Sequence, residues 1–211
     1  MSNDTKQRLL DGAIDAIRTH GIAGVSARTI AASAGVNQAL VFYHFGSVDE
    51  LLSTACTIST AARVERYAEA FAEVGSLREL LDVGRTLHAE ERGLGNVAVL
   101  AQLLAGAQAD PKLGAPVAAA LRLWIDQIEP VLSRLLAGSP FADVADVPGL
   151  ARAVSAAFIG LELFEGVDSD GARHALDALE QLAVLVEVVD ELGPVARRAL
   201  RAKVTRASAR R

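Results

Sequence analysis

Aromatic rings, sulfur and strand-like stretches are all scarce in this chain. Of its 211 residues six are Phe, two Tyr, one Trp and one Cys. The single Cys56 excludes an internal disulfide framework and fits a reducing compartment. No segment offers about 18 apolar residues free of charge; "LGNVAVLAQLLAGAQA" comes closest and carries Asn96, Gln102 and Gln108. The opening "MSNDTKQRLL" is too polar for a secretory signal. These absences lead us to expect a cytoplasmic protein with no membrane partner. A hydrophobic content of 51% and a mean hydropathy of +0.29 exclude a disordered chain. The apolar excess is Ala, Val and Leu, which suits close-packed helices better than a sheet.

Charge is unevenly spread. The net charge is -5, yet residues 194–211 hold seven of the 21 basic residues (Arg197, Arg198, Arg201, Lys203, Arg206, Arg210 and Arg211) and no acidic one. The remainder is therefore markedly acidic. A basic end of this kind can touch nucleic acid or an anionic surface, or it can be a solvated helix end.

Helix signals run the length of the chain. Leu9, Leu10, Ala13, Ile14 and Ile17 recur at helical period, and Gly21 stops them. Ser26 suits the N-cap of a short helix over about 27–33. "AGVN" breaks the chain, with Gly35 able to turn left-handed and Asn37 able to cap a helix that ends near Phe45. Ser47 and Glu50 have capping-box spacing for a helix that continues to Val74. Further breaks fall near Gly75, at "ERGLG", "ADPKLGAP", "AGSPFADVADVP", "VDSDG" and "LGP". Pro116 and Pro148 are read near helix starts, whereas Pro130 is expected to kink or split its helix. Leu150, Val154, Ala157, Leu161 and Phe164, and then Leu179, Leu182, Val186 and Val189, are spaced as seams of a shallow-angle helix bundle. Two such helices from each of two chains would make a four-helix dimer interface.

Three short N-terminal helices with a tight turn between the second and third make a helix-turn-helix. Val25, Ile30, Ala31, Ala34, Val36, Val41 and Phe45 would fill its small core against Ile14 and Ile17. With Val41 and Phe45 inward, Gln38 and Phe42 share another face of the third helix. Gln38 can make a bidentate pair with adenine, and Phe42 can meet a thymine methyl. Asn37 stands at the helix N-terminus, where backbone N–H groups favour a phosphate. Tyr43 and His44 each offer a polar atom for positioning on the phosphate backbone.

The order "VSARTIAASAGVNQALVFYHFGSVDELL" resembles the DNA-binding head of the tetracycline-repressor (TetR) family of bacterial regulators. The match is close over about residues 8–52, in Gly21, the Ser26-to-Ile30 helix start, "AxxAGV", "YHF" and the "S-x-x-E-L" opening of the fourth helix. Beyond residue 55 only the all-helical plan and the size agree. The resemblance implies that Ser26, Arg28, Asn37, Gln38, Ala39, Phe42, Tyr43 and His44 face DNA. Leu40 matches a position near the base-facing edge. The chain has Gly46 and Val48 where the family commonly has lysines. Up to Gly46 it carries only four basic residues (Lys6, Arg8, Arg18, Arg28) against Asp4, Asp11 and Asp15, so DNA binding should depend weakly on salt.

Other motifs carry less. "GLGNVA" matches G-x-G-x-x-A but follows "LHAEER", a helix end, where the dinucleotide fingerprint needs a strand. His88 with Glu91, and His174 with Asp177, have i, i+3 spacing without forming a ligand-rich cluster. We expect no metal, no cofactor and no enzyme activity. Polar or aromatic residues on apolar helices nominate a ligand lining of His88, Gln102, Trp124, Gln127, Phe158 and Glu162. Few are charged, which suits a small, largely apolar ligand; Glu162 could also pair with a cation or with an Arg across a dimer.

The expectation is thus an all-α homodimer. A helix-turn-helix head at 1–46 would bind a double-stranded, pseudo-palindromic operator. A larger helical domain at 47–211 would hold ligand and dimer interface, with the fourth helix as the lever between states. By the resemblance it acts as a repressor released by a small molecule. The alternative class is a helical small-molecule sensor or scaffold with a weak or vestigial head.

Overall fold

The computed structural model describes residues 2–190 and 192–208, without the side chains of Ser2, Glu187, Asp190 and Ser208. The described residues form ten α-helices and no strand: α1 Ser2–His20, α2 Ala27–Ala34, α3 Ala39–Phe45, α4 Val48–Glu73, α5 Leu77–Gly93, α6 Asn96–Ala109, α7 Pro111–Leu136, α8 Val147–Glu165, α9 Ser169–Asp190 and α10 Pro194–Ser208. A single 3-10 turn, Ile22–Gly24, joins α1 to α2. The chain divides into two compact units, Met1–Arg66 with Ala89–Leu123, and Tyr67–His88 with Trp124–Arg211. Helices α4, α5 and α7 contribute residues to both.

In the first unit, short helices are delimited by explicit caps. The side chain of Ser26 accepts from Thr29 N (3.2 Å) while Thr29 Oγ1 accepts from Ser26 N (2.8 Å), a reciprocal capping box. Gly35 ends α2 at φ 62°, a left-handed geometry that costs glycine little. Its neighbour Val36 N then reaches back to Ala31 O, closing the helix end. Asn37 Oδ1 accepts from Ala39 N (2.8 Å) and starts α3, and Ser47 Oγ accepts from Glu50 N (3.1 Å) to start α4. Gly12 lets α1 approach α2: a Cβ there would lie 2.9 Å from Ala34 Cβ and 3.0 Å from Ile30 O. The core behind this crossing holds Ile17, Ile30, Ala31, Ala34 and Val41 fully buried, with Ile14, Val25, Val36 and Phe45 packed against it. Helix α6 joins α1 here, so the packing unit extends beyond the 46 residues that carry the motif.

The second unit closes around Tyr67, Phe71, Leu80, Leu87, Ile128, Val131 and Leu132. Arg134 donates to three carbonyls at the end of α4, those of Phe71 (3.2 Å), Ala72 (3.1 Å) and Val74 (3.1 Å), and so supplies the missing C-cap. Pro130 does not split its helix; α7 runs unbroken from Pro111 to Leu136. Pro130 and Asp126, whose carbonyl loses its partner, are both exposed, so water can serve that oxygen while buried Ile128, Val131 and Leu132 anchor the inner face. Pro116 likewise lies inside α7 instead of near its start.

Helices α8 and α9 pack on each other, but the division of their apolar residues differs from the predicted seams. Val154, Leu161, Leu179, Val186 and Val189 are half-buried within the chain. The exposed apolar rows are Leu150, Ala153, Ala157, Gly160 and Phe164 on α8, and Ala178, Leu182, Leu185 and Val188 on α9. Leu182 is 58%, Leu185 62% and Phe164 49% exposed. Both helices are apolar on more than one face, so periodicity alone could not say which row turned inward. Among the described helices α8 alone is long and apolar enough to cross a membrane; it carries Arg152 and the buried Glu162.

Candidate functional site

The outer face of α3 is built from its inner one. Val41 is completely buried and Phe45, one turn on, packs against the same core. That orientation leaves Gln38, Ala39, Phe42 and Tyr43 exposed, Phe42 at 50% and Tyr43 at 78%. Leu40 packs against the core, which resolves its position at the edge. Tyr43 meets the His44 ring edge-on, with centroids 4.9 Å apart. His44 is half-buried, and Ser26, Arg28 and Asn37 are exposed. Two adjacent exposed aromatics beside a donor–acceptor amide at one helix start suit base edges and phosphates.

A residue the sequence did not single out braces this element. Arg8 on α1 donates through Nη2 to the carbonyls of Ala34 (2.7 Å) and Gly35 (2.9 Å), at the turn between α2 and α3. It directly precedes the apolar pair Leu9 and Leu10, a position that carries no signal of that role. Arg18 is also engaged, with Asp15 (2.5 Å) and Asn96 (3.3 Å). Of the four early cations, Lys6 and Arg28 have no hydrogen bond or ion pair among the described residues.

Three of the six nominated lining residues meet in the second unit. His88 Nδ1 stands 3.2 Å from Glu162 Oε1, and its ring meets Phe158 edge-on with centroids 6.1 Å apart. The other ring nitrogen, Nε2, contacts Glu165. Glu165 was not nominated, although Glu162 and Glu165 sit at i, i+3 on one helix face and so reach the same neighbour. Carboxylate oxygens thus stand at both ring nitrogens of His88. Gly84, one turn before His88, makes room for Phe158: a Cβ there would lie 3.0 Å from the Phe158 ring. Trp124 instead pairs with Tyr67, ring centroids 6.1 Å apart, and Gln127 is half-buried on α7. Gln102 lies in the first unit, where its Oε1 accepts from Ile22 N at 3.2 Å. A shallow groove of 390 Å³ between α7 and the start of α8, lined by Asp126, Glu129, Pro130, Ser133 and Val147, holds none of the six.

The candidate metal pairs come apart. His88 engages Glu162 and Glu165, whereas Glu91 engages Arg63 and Asn96; Asp177 pairs with Arg85 (3.5 Å) and not with His174. Gly95 of "GLGNVA" takes φ 74° to start α6 directly after α5, so a helix occupies the place of the strand that a dinucleotide turn requires. Burial pushes the Cys56 thiol up, which makes it a packing residue and a poor nucleophile.

A capped helix-turn-helix on a helical body, with an outward aromatic and amide face, defines a DNA-binding regulator. The family model of bacterial regulatory proteins of the tetR family matches residues 9–55. An uncharacterized HTH-type transcriptional regulator of Mycobacterium tuberculosis H37Rv is 26% identical over 164 residues, 78% of this chain and 84% of the relative. A Rhodococcus sp. protein described as a TetR-family transcriptional regulator superposes with TM-score 0.70 at 22% identity, over 86% of this chain and 98% of that one. The multidrug binding protein EbrR, solved in complex with proflavin, superposes with TM-score 0.55 at 27% identity, over 83% of this chain and 99% of that one. Residues 9–55 therefore carry the DNA-binding region of tetR-family regulators, and the curated relatives that the chain resembles over 78% of its length are HTH-type transcriptional regulators.

Proposed function

We propose that this protein is a ligand-responsive repressor that binds a pseudo-palindromic operator as a homodimer in the bacterial cytoplasm. The observation that carries the reading is the exposed face of Gln38, Phe42 and Tyr43 on a helix whose opposite face is locked by Val41. Residues 1–46 supply the DNA-binding head, and the remainder serves ligand and partner. Each α3 enters a major groove, with half-sites related by the two-fold axis of the dimer. The second copy covers the exposed apolar rows of α8 and α9. Their near-heptad spacing supports this, because a two-fold operation sets each row against its own image and makes a four-helix bundle.

The ligand is a small, largely apolar molecule bound at Phe158, His88 and Glu162, and the two carboxylates there favour a cationic group on it. EbrR, at 27% identity, was solved with proflavin, which supports a small-molecule ligand. Ligand binding shifts the dimer between states that fit the operator well and badly, by no more than its difference in affinity for the two.

The test is to incubate the purified protein with fragments of its own genome at two salt concentrations and sequence what it retains. An inverted repeat is expected. Gln38→Ala should weaken operator binding by about 1–3 kcal/mol and relax preference at one base pair. Unchanged preference would remove Gln38 as a base reader, and no enrichment at either salt would favour a sensor or scaffold with a vestigial head.

A further inference from the structure

Helix α3 is short, Ala39–Phe45, and only Val36, Asn37 and Gln38 separate it from Gly35 at the end of α2. Val41 and Phe45 decide which face of α3 turns inward. The angle at which α3 leaves α2 depends instead on the turn. There the backbone N–H groups of Gly35 and Val36 serve the carbonyls of Ala32 (3.2 Å) and Ala31 (3.0 Å). The carbonyls of Ala34 and Gly35 are served from another helix, by Arg8 Nη2 at 2.7 and 2.9 Å. These two carbonyls belong to the peptide units on either side of the Gly35 Cα. One nitrogen holding both therefore fixes φ and ψ of Gly35, the freest pivot in the turn. The anchor of that nitrogen is itself firm. Arg8 directly precedes the buried Leu9 and Leu10, and Gly12 lets α1 close on Ala34. A guanidinium at the C-terminal end of α2 is also favoured by the helix dipole.

We propose that Arg8 is a positioning residue for sequence recognition: by locking Gly35 it sets the angle of α3, and it acts through that helix and not as a phosphate contact. The inference rests on the reading of α3 as the base-reading helix. Base edges are read by short hydrogen bonds and methyl contacts that tolerate little displacement, whereas a phosphate tolerates more. A turn free to rotate would therefore blur the choice of sequence more than it weakens the grip on DNA in general. The cost in stability should be small. The Gly35 contact is exposed and the Ala34 contact half-buried, so water can take over much of what Arg8 gives those carbonyls. Water cannot hold the two peptide units in one fixed relation. The same contact accounts for the residue at position 35 beyond its φ of 62°: a Cβ there would lie 3.0 Å from Arg8 Nη2.

The test uses the full chain and two duplexes of equal length, one carrying the inverted repeat retained from the genome and one with its bases shuffled. Arg8→Met should bind the repeat about tenfold more weakly, the scale of one misread base pair. It should bind the shuffled duplex within about twofold of the wild type, with the same salt slope and a Tm lowered by less than about 4 °C. Equal losses on both duplexes, with a slope shallower by about 0.9 per subunit, would make Arg8 a phosphate contact and overturn the proposal. Unchanged binding of the repeat would overturn it too. Gly35→Asn retains a residue that tolerates the left-handed turn but sets a Cβ against Arg8 Nη2. It should reproduce the loss and serves if Arg8→Met fails to fold. The double variant should lose no more than the larger single loss, and additive losses would show that the two residues act separately. In the free protein, amide exchange over residues 36–41 should quicken about tenfold in Arg8→Met. Unchanged exchange would overturn the clamp whether or not a repeat is found. Faster exchange with no genomic DNA retained by the wild type would instead sink the DNA reading and leave the clamp standing.

Discussion

The two units of this chain solve the same packing problem to different degrees. The first closes its helices one by one: a capping box at Ser26, a left-handed Gly35, an Asn37 cap and an Arg8 clamp leave few backbone groups unserved. What it exposes is a chosen surface, Gln38, Phe42 and Tyr43. The second unit leaves rows of Leu, Val and Phe in solvent on α8 and α9 while burying Glu162 beside a histidine. A region that hides its charge and shows its apolar side chains carries the kind of surface that partners cover. Under the proposed function the first unit supplies the DNA-reading face within one chain, and the second supplies the surface for a second copy.

The largest expected effect breaks the second region without touching the first. Phe164→Glu with Leu185→Glu places charge in both exposed rows and should abolish dimers in light scattering while leaving the helical content unchanged. A variant that remains dimeric would place the interface elsewhere. By contrast Leu161 and Val186 are half-buried in their own chain, so charge there would damage the fold and blur the result. The next effect breaks the first region: Gly12→Ala drives a methyl into Ala34 and should cost about 1–3 kcal/mol by denaturant unfolding. A neutral outcome would mean that α1 can shift off α2, and that the crossing is looser than its contacts imply.

Two smaller effects sharpen the comparison. Because Arg8 and Arg18 are engaged within the chain, few head cations remain for phosphates. The slope of log K against log salt for the dimer should be shallower than about -8, at roughly -0.9 per contacted phosphate. A steeper slope would bring other cations to the DNA, with the exposed Arg198, Lys203 and Arg206 of α10 the first to examine. The smallest effect concerns that helix. Arg201 holds Asp143 through two contacts of 2.5 Å and keeps its carboxyl below the usual carboxylate range. A depressed folded value means the tether is fully present above the ordinary Asp range near 4 and lost only as pH falls through the lowered value. An NMR titration of the Asp143 carboxyl should show this, and Arg201→Met should return the midpoint upward.

The sequence was most legible where structure is local. Ser26, Gly35, Asn37 and Ser47 announce their caps because a cap is a contact within about four residues. Val41 and Phe45 could be turned inward, and Gln38 and Phe42 outward, from helical period alone. The signals failed where neighbours decide. Pro130 read as a break, yet solvent beside Asp126 and a buried flank kept α7 whole. The apolar rows of α8 and α9 were read as seams, and the two helices do pack on each other, but the inward and outward rows were not told apart. Residues 209–211 of the basic end lie outside the described residues, and 194–208 form α10.

By itself, then, the sequence determined an all-helical chain, the helix-turn-helix and the face of α3 that looks outward, because caps, glycine turns and a 3.6-residue period act over a few residues. Only the tertiary structure decided that His88 meets Glu162 and Glu165, that Glu91 turns instead to Arg63 and Asn96, and that Arg8 clamps the turn before α3. Those pairs are separated by 26 or more residues in several cases, and a hydrogen bond at such a separation exists only after the helices carrying its two ends have packed.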